Sequence, residues 1–254
     1  MKLAAWNINS LNVRLPHVLE WLKAHKPDAL ALQELKMEDA KFPLTAFEEV
    51  GYHAVFDGQK TYNGVAILSR ARPEDVSKAI PDYADEQKRV IAATIDGLRV
   101  ICVYIPNGQS VDSDKYHYKL RWLNALTDYV QQQIVEYSDV ALLGDYNIAP
   151  DDRDVYDPKA WEGQVLCTDA ERAAFKGLLN LGMADSFRLF EQAEKQFTWW
   201  DYRMNGFKRN LGLRIDHILL TENLVKACKS SVIDLAPRRL ERPSDHAPVV
   251  VELD

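Results

Sequence analysis

Cysteine is scarce in this sequence of 254 residues, and its few copies are far apart. They are Cys102, Cys167 and Cys228, and no two of them form the Cys-X-X-Cys pair that is typical of zinc and redox sites. An odd number of distant thiols does not support a disulfide framework either. We therefore expect neither kind of site and interpret the cysteines as small, buried or half-buried side chains.

Long hydrophobic runs are also absent, since every apolar stretch is much shorter than the roughly 20 residues that cross a bilayer. The N-terminal segment meets a polar residue at Asn7, too early for a signal peptide. No repeat, low-complexity run or linker rich in proline and glycine divides the chain. With 47% hydrophobic residues the sequence can fill a large core. We expect a single domain over residues 1–254, a cytoplasmic location and no membrane association.

Negative charge predominates, with a net charge of −7, and this at first argues against a nucleic acid partner. The charge is distributed unevenly, however. Residues 195–242 hold ten basic and five acidic residues, so this segment carries +5 and the rest of the chain carries −12. A basic segment on an acidic body is typical of a protein with one phosphate-binding face. Chance clustering on a solvated surface is the alternative.

Short apolar runs outnumber helical patterns along the chain. They predict strands at residues 3–8, 29–32, 52–56, 65–68, 90–95, 98–105, 140–143, 215–220, 231–235 and 248–253. Helices are predicted at residues 15–25, 44–50, 116–137 and 170–181. Asp96-Gly97 is a hairpin turn signal. Because hairpins mix with helical crossovers, we predict an α/β fold in which two packed sheets have helices outside them.

Four short acidic clusters each adjoin one of these apolar runs, and they contain Glu34, Asp145, Asp216 and Asp245. A carboxylate buried beside a strand end is costly unless it pairs with a cation or binds a metal ion. For Glu34 both possibilities stay open, because Lys36 is close in sequence. Convergence of several strand ends on one metal-assisted site would explain all four clusters. This pattern predicts a metal-dependent phosphoesterase.

Gly144 follows an apolar run and allows a tight turn before Asp145 and Asn147. The two side chains lie two residues apart and therefore face the same way. Asp145 can take the proton of an attacking water, and Asn147 can donate to a phosphoryl oxygen. A turn stabilised by the Asp or Asn side chain is the structural alternative.

His246 follows Asp245 directly and can also be reached by Asp216. An Asp–His pair fixes the imidazole tautomer and raises its basicity, which prepares a cation that can face a phosphate. Tyr104 ends a predicted strand, where its phenol can donate to a phosphate oxygen or, when ionised, repel one. An aromatic residue at the edge of the core is the alternative for Tyr104.

Further polar and aromatic residues can support such a site. Asn7 and Asn9 end the first strand, and their amides can orient a metal-bound carboxylate. The segment Phe197-Thr198-Trp199-Trp200-Asp201-Tyr202-Arg203 combines aromatic rings with a cation. It can stack on an extruded sugar or base while its arginine meets a phosphate, although core packing of one or two rings is equally consistent.

Taken in order, these motifs resemble the exonuclease III family of DNA repair nucleases, within the endonuclease/exonuclease/phosphatase superfamily. The resemblance covers the whole chain. It runs through Trp6-Asn7-Ile8-Asn9, Leu32-Gln33-Glu34-Leu35-Lys36, Tyr104-Ile105-Pro106-Asn107-Gly108, Gly144-Asp145-Tyr146-Asn147-Ile148-Ala149-Pro150, Phe197-Thr198-Trp199-Trp200-Asp201-Tyr202-Arg203, Gly212-Leu213-Arg214-Ile215-Asp216 and Ser244-Asp245-His246-Ala247-Pro248.

The resemblance implies a four-layer, DNase I-like α/β sandwich of two mixed sheets, with the site at one edge and Mg²⁺ or Mn²⁺ as the cofactor. By similarity, Glu34 is the principal metal ligand, supported by Asn7 and Asp245. The catalytic residues that it implies are Tyr104, Asp145, Asn147, Asp216 and His246. In these roles Asp145 and Asn147 hold the attacking water. Asp216 orients His246, and both His246 and Tyr104 contact the scissile phosphate.

The resemblance also implies which residues bind duplex DNA. The candidates for contact with the DNA are Asn9, Gly108, Lys115, Lys119, Arg203 and Lys208. A hydrophobic pocket for a flipped abasic sugar is implied for Trp199, Leu213 and Ile215. We expect a monomer that acts on abasic sites, nicks or blocked 3′ ends.

The shared motifs leave several activities open. The family includes cleavage at abasic sites, removal of 3′-phosphates and 3′→5′ exonuclease action, and these motifs do not choose among them. A bulky side chain in residues 161–168 can exclude an internal flipped sugar yet admit a strand end, which describes a 3′-end specialist. The sequence also allows a phosphoesterase for lipids or nucleotides, or a nucleic-acid-binding protein without catalysis.

Overall fold

The computed structural model of the protein describes residues 1–254. The strands are β1 (Lys2–Asn7), β2 (Ala29–Gln33), β3 (His53–Asp57), β4 (Val65–Ser69), β5 (Glu74–Lys78), β6 (Val90–Ile95), β7 (Leu98–Tyr104), β8 (Val140–Asp145), β9 (Met183–Asp185), β10 (Trp199–Trp200), β11 (Gly212–Leu213), β12 (Asp216–Thr221), β13 (Cys228–Ile233) and β14 (Val249–Leu253). The α-helices are α1 (Leu11–His25), α2 (Leu44–Glu48), α3 (Asp114–Glu136), α4 (Pro158–Trp161), α5 (Asp169–Asn180) and α6 (Glu222–Ala227).

Most strands belong to two six-stranded mixed sheets. The first has the order β13-β14-β1-β2-β4-β3, and the second has the order β5-β6-β7-β8-β12-β9. Small and branched apolar side chains from both sheets, such as Ala5, Ala31 and Leu143, form one buried core between them. The outer face of the first sheet packs against α1 and α2, and that of the second packs against α3 and α5. This is the predicted arrangement of two packed sheets with helices outside.

A parallel strand pair lies in the middle of each sheet and determines where the site forms. β1 pairs with β2 in the first sheet, and β7 pairs with β8 in the second. The carboxyl ends of these strands meet at one edge of the sandwich, because parallel neighbours end on the same side. In the second sheet Tyr104 stands opposite Asp145, and the antiparallel β12 brings Asp216 opposite Asp145 as well.

Apolar patterns in the sequence predict the buried strands but not the exposed ones. They do not indicate β5, because nearly all of its side chains are exposed and no apolar alternation marks it. The short β9, β10 and β11 and helices α4 and α6 are also absent from the predicted elements. The predicted hairpin between β6 and β7 is confirmed, with Asp96 at φ 49° and Gly97 at φ 83°. Positive φ at both central residues is the requirement of a type I′ turn.

Helix α1 begins earlier than predicted, at Leu11, and Pro16 lies inside it. The buried Leu11 side chain joins the core beneath the helix, so packing fixes the first turn. All three cysteines are free thiols, with Cys102 and Cys167 buried and Cys228 half-buried. No helix combines the length and the apolar character needed to cross a membrane.

Candidate active site

The carboxyl ends of β1 and β2 bring Asn7 and Glu34 together at the edge of the first sheet. Asn7 Nδ2 donates to Glu34 Oε1 at 2.9 Å and to Asp145 Oδ2 at 2.9 Å. Its amide therefore joins a carboxylate of the first sheet to one of the second. Glu34 has φ 55°, so the chain turns sharply directly after β2 and directs this side chain to the edge.

Glu34, Asp145 and His246 offer ligand atoms that all lie within 4.8 Å of one another. Carboxylate oxygens are the ligands that hard divalent cations prefer, and here two carboxylates converge with little access to water. Lys36 Nζ lies 2.8 Å from Glu34 Oε2, so the ion pair that the sequence allows also forms. The cluster has the chemistry of a metal site, with Glu34 as its most accessible carboxylate.

Asp245 is not part of this cluster. Its Oδ1 accepts a hydrogen bond from Asn9 Nδ2 at 2.9 Å, and its Oδ2 accepts one from Trp199 Nε1 at 3.0 Å. These two donors orient the carboxylate of Asp245, and its role as a metal ligand stays a prediction. Asn9 likewise turns toward Asp245, and its Oδ1 accepts from Lys36.

Asp145 ends β8 directly after a glycine that no other residue can replace. Gly144 has φ 147°, and a Cβ atom there would lie 1.9 Å from the carbonyl oxygen of Val103. This close approach of β7 and β8 makes room for the Asp145 carboxyl group, which is buried. Burial is the main cause that raises the pKa of Asp145, to about 7, although His246 opposes it. A carboxyl group with such a pKa can exchange a proton near neutrality.

Asn147 lies beside Asp145 in a left-handed conformation with φ 49°. Its backbone N–H donates to Asp145 Oδ1 at 2.8 Å, so the side-chain-stabilised turn that is the structural alternative is present as well. Its Nδ2 donates to Ile105 O at 3.0 Å and, over a longer 3.3 Å, to Asp145 Oδ2. Asn107 Nδ2 donates to Asn147 Oδ1 at 3.0 Å and so fixes the orientation of the amide.

His246 and Asp216 form the predicted pair. His246 Nδ1 lies 2.8 Å from Asp216 Oδ2, and His246 Nε2 lies 3.8 Å from Asp145 Oδ2. Burial alone would lower the pKa of His246, but the carboxylates of Asp216 and Asp145 outweigh it and raise the pKa to about 10. The imidazole is therefore a cation near neutral pH and donates from Nδ1 to Asp216.

Tyr104 also reaches the cluster, because its hydroxyl donates to Glu34 Oε1 at 3.0 Å. Burial is the main cause that raises the pKa of Tyr104 well above its usual value, and the charge of Glu34 adds to it. The phenol is therefore a neutral donor rather than an anion. Arg89 supports it, with its guanidinium carbon 4.7 Å from the centre of the ring.

The residues expected to contact DNA differ in exposure. Lys115 is exposed and lines a groove of about 640 Å³ that begins at Tyr104. Gly108 lines the same groove, and its φ of +94° favours glycine. Arg203 and Lys208 are exposed, although Arg203 Nη2 pairs with Asp201 Oδ2 at 2.6 Å.

Lys119 differs from the other residues that were expected to contact DNA. It is fully buried, and its Nζ donates to the backbone oxygens of Asn107 and Asn147 and to Glu171. A direct contact with the DNA backbone is therefore wrong for Lys119. This lysine faces inward from α3, whereas Lys115, one turn earlier, faces solvent.

Two of the three residues that are expected to form the sugar pocket are buried. Leu213 and Ile215 are only 0% and 2% exposed, and they pack with Val155 and Leu166 in one apolar cluster. Leu166 belongs to residues 161–168, where a bulky side chain can restrict the substrate, and it has φ 79°. Trp199, half-buried at the rim of this cluster, is the member of the expected pocket that remains accessible.

Two hydroxyl groups form hydrogen bonds to backbone groups of the site. The sequence patterns do not indicate either of them. Thr198 Oγ1 accepts from the N–H groups of Ile215 and Asp216, each at 3.0 Å. Ser244 Oγ donates to Asn7 O at 2.7 Å and accepts from the N–H of His246 at 3.2 Å. Both residues lie inside the motifs that carry the family resemblance, which is the only signal in the sequence that could have indicated them.

Comparisons with known proteins agree with this geometry. The sequence profile described as the endonuclease/exonuclease/phosphatase family matches residues 4–246. The chain is 38% identical to exodeoxyribonuclease III of Haemophilus influenzae, over 99% of each chain.

Two solved structures resemble this chain over almost the whole length of both proteins. A Neisseria 3′ phosphatase, NExo, bound to a product DNA hairpin, has a TM-score of 0.99 and 50% identity, covering 100% of this chain and 99% of that one. An AP endonuclease from Archaeoglobus fulgidus has a TM-score of 0.96 and 42% identity, with 100% and 99% coverage.

Proposed function

The chain belongs to the endonuclease/exonuclease/phosphatase family, and we propose that it is a DNA repair phosphodiesterase of the exonuclease III type. In this proposal it hydrolyses phosphoesters at abasic sites or blocked 3′ ends of duplex DNA, with Mg²⁺ or Mn²⁺ held by Glu34 and its neighbours. The convergence of Glu34, Asp145 and His246 within 4.8 Å carries the proposal. We expect a cytoplasmic monomer.

Asp145 and Asn147 are the groups that prepare the attacking water. Asp145 accepts its proton, because burial disfavours the carboxylate charge and so strengthens its affinity for a proton. The Asn147 amide can exchange its longer bond to Asp145, at 3.3 Å, for one to the water or a phosphate oxygen. Its shorter bond to Ile105 O keeps the amide in place meanwhile.

His246 and Tyr104 oppose the charge that develops on the phosphate. The imidazolium of His246 presents Nε2 to the site, while Asp216 keeps Nδ1 engaged. Tyr104 supplies a neutral O–H donor from the end of β7. A bound divalent ion would polarise a phosphoryl oxygen in the same cavity. Preorganised donors of this kind lose no energy to reorientation during the reaction.

Asp145→Asn tests the mechanism. The amide keeps the size of the side chain but cannot accept the water proton, so we expect kcat to fall by at least about 10²-fold. The measurement is removal of a 3′-phosphate from a nicked duplex with Mg²⁺, together with the melting temperature. Asp112→Asn, at an exposed position that belongs neither to the cluster nor to the lining of the groove at Tyr104, is the control and should retain full turnover. Normal turnover by Asp145→Asn would overturn the proposed role.

A second candidate, the 3′-end specialist with little action at internal abasic sites, is supported by the packing of Leu166. A flipped sugar needs an apolar pocket that is open, but Leu213 and Ile215 lie in one buried cluster with Leu166 and have almost no exposed surface. A strand end can approach Trp199 and the acidic cluster without entering this space. The 50% identity to a 3′ phosphatase agrees with this preference.

Leu166→Gly tests this candidate directly. Glycine favours the observed φ of 79°, so the substitution removes the side chain without straining the backbone. We expect incision at an internal abasic analogue to rise by about tenfold or more, with removal of a 3′-phosphate retained. Leu240→Gly, at an exposed position, controls for loss of a leucine. If wild-type protein already cleaves both substrates at equal rates, the hypothesis of a 3′-end specialist is wrong.

A further inference from the structure

The loop that follows β8 is held by side chains at three successive carbonyl oxygens. The oxygens of residues 147–149 accept hydrogen bonds from Lys119 Nζ at 2.6 Å, His217 Nε2 at 2.9 Å and Arg172 Nε at 3.2 Å. These donors come from α3, β12 and α5 respectively. Side chains from three separate elements therefore fix the position of this loop.

The proposed mechanism uses none of these three donors, and His217 is the one that directly follows Asp216 in β12. Its Nδ1 lies 3.0 Å from Nη1 of Arg214, and its Nε2 lies 2.9 Å from Ile148 O. A guanidinium group can only donate, so Nδ1 must be the unprotonated, accepting nitrogen. Nε2 consequently carries the hydrogen and donates to Ile148 O. The contacts themselves assign both the tautomer and the neutral charge state.

The surroundings of His217 hold it in this state. Arg214 is fixed by Asp154, with Nε at 2.7 Å, and by Asp185, with Nη2 at 2.7 Å. The imidazole is buried between the rings of Tyr146 and Phe175. The two bonds and the two ring contacts together fix the orientation of the imidazole.

β12 links this arrangement to the other half of the site. Asp216 and His217 are successive strand residues, so their side chains point to opposite faces of the sheet. Asp216 braces His246 on the face that it shares with Asp145, its cross-strand partner, while His217 holds the loop after Asp145 on the other face. The first two residues of β12 thus position both His246 and the loop that follows β8.

We propose that His217 is a positioning residue for the hydrolytic reaction. Its neutral imidazole, oriented by Arg214, holds Ile148 O and thereby sets the direction of the adjoining Asn147 and of Asp145. His217 touches none of the proposed reacting groups, so it acts only through the loop. This inference rests on the proposed function, and its test therefore includes a measurement that needs no activity.

Three variants separate the hydrogen bond from simple packing. His217→Leu removes the donor and leaves Ile148 O and Arg214 without their partner. His217→Gln can reproduce both bonds, since its amide has one donor group and one acceptor. Phe175→Leu disturbs the packing on the same ring but leaves both bonds intact, and it serves as the matched control.

The kinetic test uses a nicked duplex with a 3′-phosphate and Mg²⁺. We expect His217→Leu to lower kcat by about 10–100-fold, as residues that orient catalytic groups commonly do, with KM changed less than about threefold. His217→Gln should recover most of kcat, and Phe175→Leu should stay close to wild type. Equal losses in all three variants, or none in His217→Leu, would overturn the proposal.

The pH profile distinguishes positioning from proton transfer. Between about pH 6 and 9, His217→Leu should lower kcat by a constant factor and leave both limbs of the profile unmoved. A shifted limb would mean that His217 itself exchanges a proton with the reaction, and the proposal would then be wrong. If His217→Leu does not fold, His217→Asn replaces it, because its amide is too short to reach Ile148 O.

Hydrogen exchange gives the readout that is independent of activity. Amide protons of residues 145–149 should exchange faster in His217→Leu than in wild type, and His217→Gln should restore slow exchange. Unchanged exchange in this loop would overturn the inference about His217 even in an active enzyme. If wild-type protein hydrolyses no phosphoester while the exchange results are as expected, only the proposed function has failed.

Discussion

Two buried histidines show how single neighbours decide the charge of a side chain. His246 faces the carboxylates of Asp216 and Asp145, which outweigh burial and raise its pKa to about 10. His217 is equally buried, but its charged neighbour is Arg214, and burial and this cation lower its pKa to about 4. The same residue type is therefore a cation in one position and a neutral hydrogen-bond donor in the other.

The low pKa of His217 predicts a loss of stability in acid. Its folded-state pKa, about 4, lies below the ordinary value of 6.5, so the unfolded chain binds the proton more readily. Its contribution to stability is complete above pH 6.5 and is lost as the pH falls toward 4. The maximal loss is about 3 kcal/mol, since each pKa unit corresponds to about 1.4 kcal/mol.

Urea unfolding at several pH values measures this effect. The free energy of unfolding of wild type should fall more steeply between pH 6.5 and 4 than that of His217→Gln, which has no group to protonate there. The difference between the two proteins isolates His217 from the many carboxylates that titrate in the same range. Parallel curves would show that His217 does not resist protonation in the folded state.

At the scale of elements, a buried ion pair connects helices α3 and α5 to the loop that follows β8. Lys119 of α3 and Glu171 of α5 are both fully buried and bonded to each other. Glu171 also accepts from the N–H groups of Leu166 and Thr168, each at 3.0 Å. The pair thus holds the segment before α5 against the loop whose Asn147 oxygen accepts from Lys119.

Lys119→Met should destabilise the protein strongly. It leaves the Glu171 carboxylate buried without its cation, which typically costs about 3–5 kcal/mol. Lys115→Met, at the exposed lysine one turn earlier on α3, is the matched control and should change stability by less than about 0.5 kcal/mol. Urea unfolding measures both. If the two variants lose equal stability, the buried pair does not support the fold as described.

The same helix explains what can and cannot be predicted from the sequence. Apolar periodicity predicts α3 and most buried strands, because burial leaves a pattern in the residues themselves. It cannot decide that Lys119 faces inward and Lys115 outward, because only the partner on α5 makes burial of a lysine tolerable. The acids at strand ends are predictable as a group, whereas the burial of Leu213 and Ile215 in one cluster with Leu166 depends on packing between distant segments.

Across the whole molecule, the expected basic face is less uniform than the charge count of residues 195–242 suggests. Arg214 and Arg238 are buried, and Arg203, Lys226 and Lys229 form ion pairs with nearby acids. Positive charge toward the groove at Tyr104 comes instead from a different part of the chain, at Arg89 and Lys115. The net charge of a sequence segment does not show which of its charged side chains form ion pairs in the folded protein.

The acidic cluster spans both sheets, and this predicts how a metal ion affects global stability. Glu34 follows β2 of the first sheet and lies within 4.8 Å of Asp145 at the end of β8 of the second, so an ion held by Glu34 would lie close to both halves of the sandwich. An ion that binds only the folded chain stabilises it by about 2.7 kcal/mol at 100 times its Kd. The melting temperature should therefore rise with Mg²⁺ and return to its original value on chelation.

Glu34→Gln is the variant that makes this prediction specific. The amide keeps the shape of the side chain but removes the charge that attracts the cation, so the Mg²⁺-dependent rise in melting temperature should largely disappear. Glu162→Gln, at an exposed position away from the cluster, should retain the full rise. Ca²⁺ and Mn²⁺ titrations of the same variants report on the size of ion accepted. An equal Mg²⁺ response in both variants would mean that the ion binds elsewhere.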